Sequence, residues 1–130
     1  MHIRKLQEKD SELMFEWMSD NDVTQWLHGD YQNAIIEDAT SFIESTENII
    51  DELHFAIAND EDEYMGTVSL RHIDNSNGIA EFAIVVRKAA MTKGYAWQGM
   101  LQVLDFAFKS LDLECVYWRV SQDNKRALRF

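Results

Sequence analysis

The stretch from Ala80 to Leu104, AEFAIVVRKAAMTKGYAWQGMLQVL, restricts what this chain can fold into more than any other. The apolar run Ala80 to Val86 suits a buried strand, and a short basic loop follows it to Lys93-Gly94. From Tyr95 onward, Trp97, Met100, Leu101, Leu104 and Phe108 recur at helical spacing. A strand that passes through a short loop into a helix start is the architecture of an anion site. The first N–H groups of a helix lack intrahelical acceptors, and the helix dipole favours negative charge there. The amides from Met91 to Ala96 are therefore the expected docking point for a phosphate-bearing ligand.

Length sets the scale of what such a site belongs to. A chain of 130 residues, 46% hydrophobic, suffices for one core, so residues 1–130 are expected to form a single domain. No apolar run is long enough to span a membrane, and the N-terminus MHIRKLQEKD lacks the apolar segment of a secretory signal. A cytoplasmic protein without a membrane partner is expected. The single Cys115 has no internal disulfide partner, and its apolar run CVYW predicts a core thiol. His2, His28, His54 and His72 show no ligand spacing, so no metal site is expected.

Charge is distributed unevenly. Met1 to Glu63 carries 3 Lys/Arg against 17 Asp/Glu, whereas Tyr64 to Phe130 carries 9 against 6. Arg87, Lys88 and Lys93 lie in the candidate anion loop, and Lys125, Arg126 and Arg129 cluster at the end. The acidic first half argues against nucleic acid, whose phosphates need a continuous basic surface.

In chain order, His2 to Leu6 reads as a short strand. Asp10 or Ser11 can cap a helix with Leu13, Met14, Trp17 and Met18 as its apolar stripe. Val23 to Leu27 reads as a further helical turn. A second amphipathic helix is expected from about Ile35 to Ile50, with Ile36, Ala39, Ile43 and Ile50 on its buried face. Strands follow at Leu53 to Ala58, Tyr64 to Ile73 and Ala80 to Val86, separated by the turn signals Asn59 to Glu63 and Asp74 to Gly78. After the helix from Tyr95, Glu114 to Ser121 reads as a strand, and Asp123-Asn124 opens a final helix. The pattern is α+β, with a mixed, mostly antiparallel central sheet flanked by helices.

This order of elements resembles the GNAT superfamily of N-acetyltransferases. Met65-Gly66-Thr67-Val68-Ser69-Leu70 is similar to the family's "IGxVxL" strand, and Ala80-Glu81-Phe82-Ala83-Ile84 resembles the strand before its CoA loop. Lys93-Gly94-Tyr95-Ala96 matches the end of its Arg/Gln-x-x-Gly-x-Gly/Ala pyrophosphate motif, and Asn124 to Phe130 resembles its "NxxAxxxY" helix. Met14 to Val23 is similar to the "hxxWhxdxxV" segment of the branch that holds ribosomal-protein and amino-sugar acetyltransferases. Two departures stand out. Met91 occupies the position of the motif's Arg or Gln, followed by Thr92, which shifts phosphate binding onto backbone amides and onto Lys88 or Lys93. The family pattern also continues past Phe130, so a chain truncated at its C-terminus, or completed by a partner chain such as a homodimer mate, is expected.

The resemblance implies acetyl-CoA as cosubstrate, with no metal. It implies that main-chain groups of Ile84, Val85 and Val86 bond the pantetheine as an added strand. Lys88, Met91, Thr92, Lys93, Gly94, Tyr95 and Ala96 would surround the pyrophosphate, and Asn124 would contact the pantetheine arm, unless it is simply a helix N-cap. Glu81 is the one carboxylate in an otherwise apolar strand, a candidate base if buried and an ordinary strand-end carboxylate if it faces solvent. Tyr117 and Tyr95 are the available general acids, each also suited to core packing. The loop from Thr24 to Ala34 implies an acceptor site bordered by Trp26, His28, Asp30 and Tyr31, although Trp26 also suits a core. The acceptor is expected to be a small-molecule amine, amino sugars included. The acidic half favours cationic acceptors such as polyamines or peptide N-termini. A protein α-amine is the second reading, and a non-catalytic acyl-CoA-binding module or an interaction domain are the others.

Overall fold

The computed structural model describes residues 1–25, 27, 31–46 and 50–118. Its strands are β1 (His2–Lys5), β2 (Leu53–Ala58), β3 (Tyr64–Asp74), β4 (Ile79–Val86) and β5 (Cys115–Trp118). The helices are α1 (Ser11–Met18), α2 (Asn21–Thr24), α3 (Ile36–Ser45) and α4 (Tyr95–Lys109). The sheet runs β1-β2-β3-β4-β5. Its first four strands are antiparallel neighbours, whereas β5 lies parallel to β4. That parallel pair follows from the connection: two strands joined by a helical crossover return in the same direction.

Strand periodicity divides the sheet into two faces. On one, Ile57, Val68, Leu70, Ala80 and Phe82 pack against Val103 and Ala107 of α4. On the other, Ala56 and Tyr64 meet Met14, Trp17 and Met18 of α1 together with Ala39 and Ile43 of α3. The N-terminus is fixed by charge as well. The Arg4 guanidinium donates two 2.8 Å bonds to the Asp10 carboxylate and a third, of 2.7 Å, to Asp62, tying β1 to the start of α1 and to the β2–β3 turn. Asp10 therefore caps backward, accepting from the Gln7 amide at 2.8 Å rather than opening α1.

Two expectations from the sequence are corrected, and α4 turns a face of small residues to the sheet. The residues buried by α4 are Gly99, Val103 and Ala107, while Trp97, Leu101 and Phe108 are exposed. Small residues bring α4 close to the sheet: a Cβ on Gly99 would sit 2.7 Å from Ile57 Cδ1, so the bulkier apolar face turns outward. Helix α3 stops at Ser45 rather than Ile50, where the hydroxyls of Ser45 and Thr46 donate back to the carbonyls of Phe42 and Ile43. Ile50 is 98% exposed, and Ile36 is exposed at the other end. Cys115 is exposed, not a core thiol. Val116 and Trp118 point into the α4-side core, and period two turns Cys115 to the other face at the start of the outermost described strand. The expected strand to Ser121 is described as far as Trp118, and the expected helix from Asn124 lies outside the described residues.

One buried hydrogen-bond chain locks α1 onto the sheet. Trp17 Nε1 donates to Tyr64 Oη at 2.9 Å, and Tyr64 Oη is 2.7 Å from Thr67 Oγ1. Burial is the main cause that pushes the Tyr64 phenol well above its ordinary range, so it stays protonated. The variant Tyr64→Phe leaves two buried groups without a partner. It should lower the unfolding free energy by about 1–3 kcal/mol in urea titration. An unchanged midpoint would mean that the chain contributes nothing to stability.

Candidate functional site

The site begins where the β4–β5 pairing ends. β5 pairs with Ile79 to Phe82, whereas β3 continues along β4 to Val86. From Ala83 to Val86 the other edge of β4 has no strand partner among the described residues. β5 is described as far as Trp118, the partner of Phe82; beyond the end of a partner strand, an extended ligand with amides of its own can add to an edge as a strand does. Gly66 holds the opposite edge close: a Cβ there would lie 2.4 Å from Val85 O and 2.9 Å from Val86 Cα. β4 is thus fixed from the β3 side at Val85 and Val86.

β4 leads into a 3₁₀ turn, Lys88–Ala90, and then into the loop before α4. Thr92 and Gly94 both have positive φ, 66° and 86°. For a β-branched threonine this is a strained backbone, and such strain clusters at ligand clamps. Left-handed residues in a turn also gather successive N–H groups into a concave anion nest. The Gln98 amide bonds Gly94 O, so the N–H groups of Tyr95, Ala96 and Trp97 precede the first intrahelical bond of α4. A Cβ built on Gly94 meets nothing within 4 Å. The loop therefore combines donors, a dipole and open space. The Met91 amide is the exception to the expected set, since it bonds Lys88 O at 3.2 Å.

The loop cations divide by role. Arg87 is structural: its guanidinium reaches Glu16 at 2.9 Å and Glu63 at 3.3 Å, joining α1, the β2–β3 turn and the end of β4. Lys88 pairs with Asp22 at 2.6 Å, and Lys93 is exposed. Met91 packs against the α1–α3 core, which gives a structural reason for an apolar residue at that position of the motif. Tyr95 packs against the opposite core, and Thr92, Gly94 and Ala96 complete the loop.

Glu81 lies at the other end of this strand, on the α1–α3 face. It is 6% exposed. Its Oε1 is 3.4 Å from Arg71 Nη2, and its Oε2 is 3.5 Å from His72 Nε2. Alternation along β3 would send Arg71 and His72 to opposite faces. A bulge intervenes, because Arg71 pairs with Glu81 and Asp74 with Ile79, three steps on β3 against two on β4. His72 takes φ 52° there, and the bulge turns its ring to the carboxylate that Arg71 also meets. Tyr117 sits opposite Glu81 in the parallel register and so shares its face. Tyr31 is half-buried, edge-on to Trp17 at 5.6 Å. Burial pushes its phenol up and the Arg71 charge draws it back, which sets Tyr31 near the same cluster.

Along the same face lies a chain of polar side chains that spacing in the sequence does not reveal. His54 of β2 pairs directly with Ser69 of β3. His54 Nδ1 is 2.6 Å from Ser69 Oγ, and His54 Nε2 is 2.8 Å from Glu52 Oε1. The Phe42 ring of α3 closes over the imidazole at 5.0 Å. Only the register of β2 on β3 makes neighbours of residues 15 apart. The signal was available as period-two strands around a short turn, but a search for ligand or catalytic spacing passes over it. Trp26, His28, Asp30 and Asn124 fall outside the described residues. Among the described residues no group of three or more metal-binding side chains comes together, and no helix is long and apolar enough to cross a membrane.

Comparison with known proteins agrees with this geometry. A family model described as an acetyltransferase (GNAT) domain matches residues 1–130. A protein of Bacillus licheniformis described as "Uncharacterized N-acetyltransferase p20" is 24% identical over 135 residues, which cover 98% of this chain and 73% of that one. The crystal structure of spermidine N-acetyltransferase from Vibrio cholerae in complex with CoA and spermine superposes with a TM-score of 0.86. It is 20% identical over 98% of this chain and 75% of that one. A structure described as a probable acetyltransferase gives 0.85 at 21% identity, covering 98% and 73%. At these identities the solved structures establish a shared fold.

Gly94 offers a direct test of the loop. In Gly94→Val a β-branched side chain must adopt a left-handed backbone and fill the open space before α4. Calorimetry should show acetyl-CoA affinity falling at least about tenfold, the equivalent of ~1.4 kcal/mol, in a variant that circular dichroism shows folded. Wild-type affinity would remove the loop from the site.

Proposed function

The chain belongs to the GNAT acetyltransferase domain family, and from that premise we propose that it acetylates a primary amine of a small molecule. The transfer uses acetyl-CoA, takes place in one ternary complex, and occurs in the cytoplasm. One observation carries this reading: β4, whose described pairing with β5 ends at Phe82, runs directly into a strained loop and the N-terminus of α4. An extended amide-bearing arm ending in a pyrophosphate needs those two features in that order. Acetyl-CoA supplies the acetyl group as an activated thioester.

The chain's own groups then divide the work. Main-chain atoms of Ile84, Val85 and Val86 hold the pantetheine arm, with Asn124 as a side-chain contact. The amides of Thr92, Lys93, Gly94, Tyr95 and Ala96 take the pyrophosphate, with the Lys93 ammonium beside them and Lys88 bordering the loop. Glu81, buried and bracketed by Arg71 and His72, draws a proton from the amine as its nitrogen bonds to the carbonyl carbon. Tyr117, on the same face, donates a proton to the departing sulfur. Tyr31, with Trp26 and His28, borders the acceptor.

The acceptor class follows from charge. With 3 basic against 17 acidic residues before Tyr64, the acceptor-side half attracts cations and repels anions. This supports a polycationic amine ahead of an amino sugar carrying a nucleotide. The Vibrio cholerae relative, described as a spermidine N-acetyltransferase bound to CoA and spermine, supports the same order.

Thiol release from acetyl-CoA, measured against spermidine, glucosamine and a peptide α-amine, tests the activity. Turnover is expected with spermidine preferred. Glu81→Gln should cut kcat by about 10²–10⁴-fold and leave acetyl-CoA affinity as it is. Silence across the panel, or a Glu81→Gln variant at the wild-type rate, would overturn the assignment concerned.

A further inference from the structure

Acetylation of a cationic amine has a proton balance that Glu81 and Tyr117 do not close. A primary ammonium, R–NH3⁺, ends as the amide R–NH–CO–CH3, so its nitrogen loses two protons. One ends on the sulfur of the released thiol. The other must reach solvent, and it must leave before the nitrogen has a lone pair to attack with. A simple primary amine titrates near pH ~10, so close to neutral pH this first loss is an obligatory step.

We propose that Ser69, His54 and Glu52 are a proton-exit relay that takes this first proton from the acceptor and delivers it to solvent. The proposal rests on the acetyltransferase reading above and adds three side chains to it. Elementary donor and acceptor rules fix the polarity of the chain. An ionised Glu52 only accepts, so in neutral His54 the Nε2 carries the hydrogen and donates at 2.8 Å. Nδ1 then holds the lone pair and accepts from the Ser69 hydroxyl at 2.6 Å. The remaining lone pairs of Ser69 Oγ can accept a proton donor from the acceptor side. The resting chain therefore ends as a base.

Its position suits that task. Ser69 lies directly opposite Ala83, and Arg71 directly opposite Glu81, so Ser69 and Glu81 are diagonal neighbours on one face, about 7–8 Å apart along the sheet. An amine nitrogen or one water bridges such a gap. Ala83 offers only a methyl group beside the serine hydroxyl, one residue past the last described β4–β5 pair. Ser69 is 5% exposed, His54 has 5% of its side chain exposed, and Glu52 has 29%. The chain thus runs from the buried reaction point outward to a carboxylate that meets water.

The step balances. An ammonium N–H proton passes to Ser69 Oγ while the Ser69 hydroxyl proton passes to His54 Nδ1, leaving a neutral amine, an intact serine and an imidazolium paired with the Glu52 carboxylate. The Nε2 proton then leaves by way of Glu52 to water, so that one proton has gone out for the one taken in and neutral His54 carries its hydrogen on Nδ1. Exchange with solvent returns that hydrogen to Nε2 with no net gain or loss, and rotation of the serine hydroxyl restores the start. Ser69 is the catalytic residue here, since it touches the acceptor, and Glu52 positions and charges His54. Around the imidazole, β2 and its approach contribute Glu52 and β3 contributes Ser69. The α3 contact is the uncharged Phe42 ring, and Arg71 and Glu81 lie next along the face.

Ser69→Ala and His54→Gln test the relay, with turnover of spermidine measured at about pH 7 and at about pH 9.5 and acetyl-CoA affinity measured by calorimetry. Both variants should lose about 10²-fold in kcat/KM at the lower pH, regain most of it at the higher pH where part of the amine is already neutral, and bind acetyl-CoA as the wild type does. A loss of equal size at both pH values, or no loss, overturns the relay and leaves these groups a structural role. Ser69→Ala removes one oxygen and answers the question if His54→Gln fails to fold. A wild-type protein that binds acetyl-CoA yet turns over no amine overturns the acetyltransferase reading and the relay together, an outcome distinct from a failure of the relay alone.

Discussion

Antiparallel pairing of β3 with β4, from Gly66 against Val86 to Arg71 against Glu81, governs how the rest of this sheet can be used. β5 joins the other side of β4 through the crossover of α4, with Ile79 to Phe82 paired to Cys115 to Trp118 among the described residues. Gly66 tightens the β3 side, since any side chain there would run into the backbone of Val85 and Val86. A strand held firmly along one side is a rigid template against which an extended ligand can lie.

The two ends of β4 then acquire different chemistry from the same geometry. At its C-terminal end the chain turns through Thr92 and Gly94, both left-handed, and enters α4, whose first intrahelical bond runs from the Gln98 amide to Gly94 O. At its N-terminal half the α1–α3 face carries Glu81, with Arg71 and the bulge-turned His72 upon it, and the Glu52–His54–Ser69 chain beside it. Buried apolar packing separates these polar groups from the opposite face. The Trp17–Tyr64–Thr67 bonds close the core just short of them. The proposed function thus puts binding and chemistry on successive portions of one strand.

Much of this was legible in the sequence because it is local. Period-two runs bounded by Asn, Asp and Gly gave β2, β3 and β4 within a residue or so, and the strand–loop–helix order expected from Ala80 to Leu104 is the order of β4, the loop and α4. What spacing could not decide was the choice among faces. The stripe Trp97, Leu101, Phe108 satisfies helical spacing as well as Gly99, Val103, Ala107 does, and only the close approach of α4 to Ile57 decides for the small residues. Cys115 was misjudged for a related reason: an apolar strand still has two faces, and its own is the exposed one. His54 and Ser69 became partners through register, and His72 joined Glu81 through a bulge. Neither relation is written in spacing along the chain.

The central claim is that acyl-CoA lies along β4 from Ala83 to Val86 with its pyrophosphate at the start of α4. Amide hydrogen exchange with and without acetyl-CoA tests it most directly. Protection is predicted in two blocks, Ala83 to Val86 and Thr92 to Ala96, with β1 and β2 unaffected. Protection elsewhere, or none in a protein that calorimetry shows to be saturated, would contradict it.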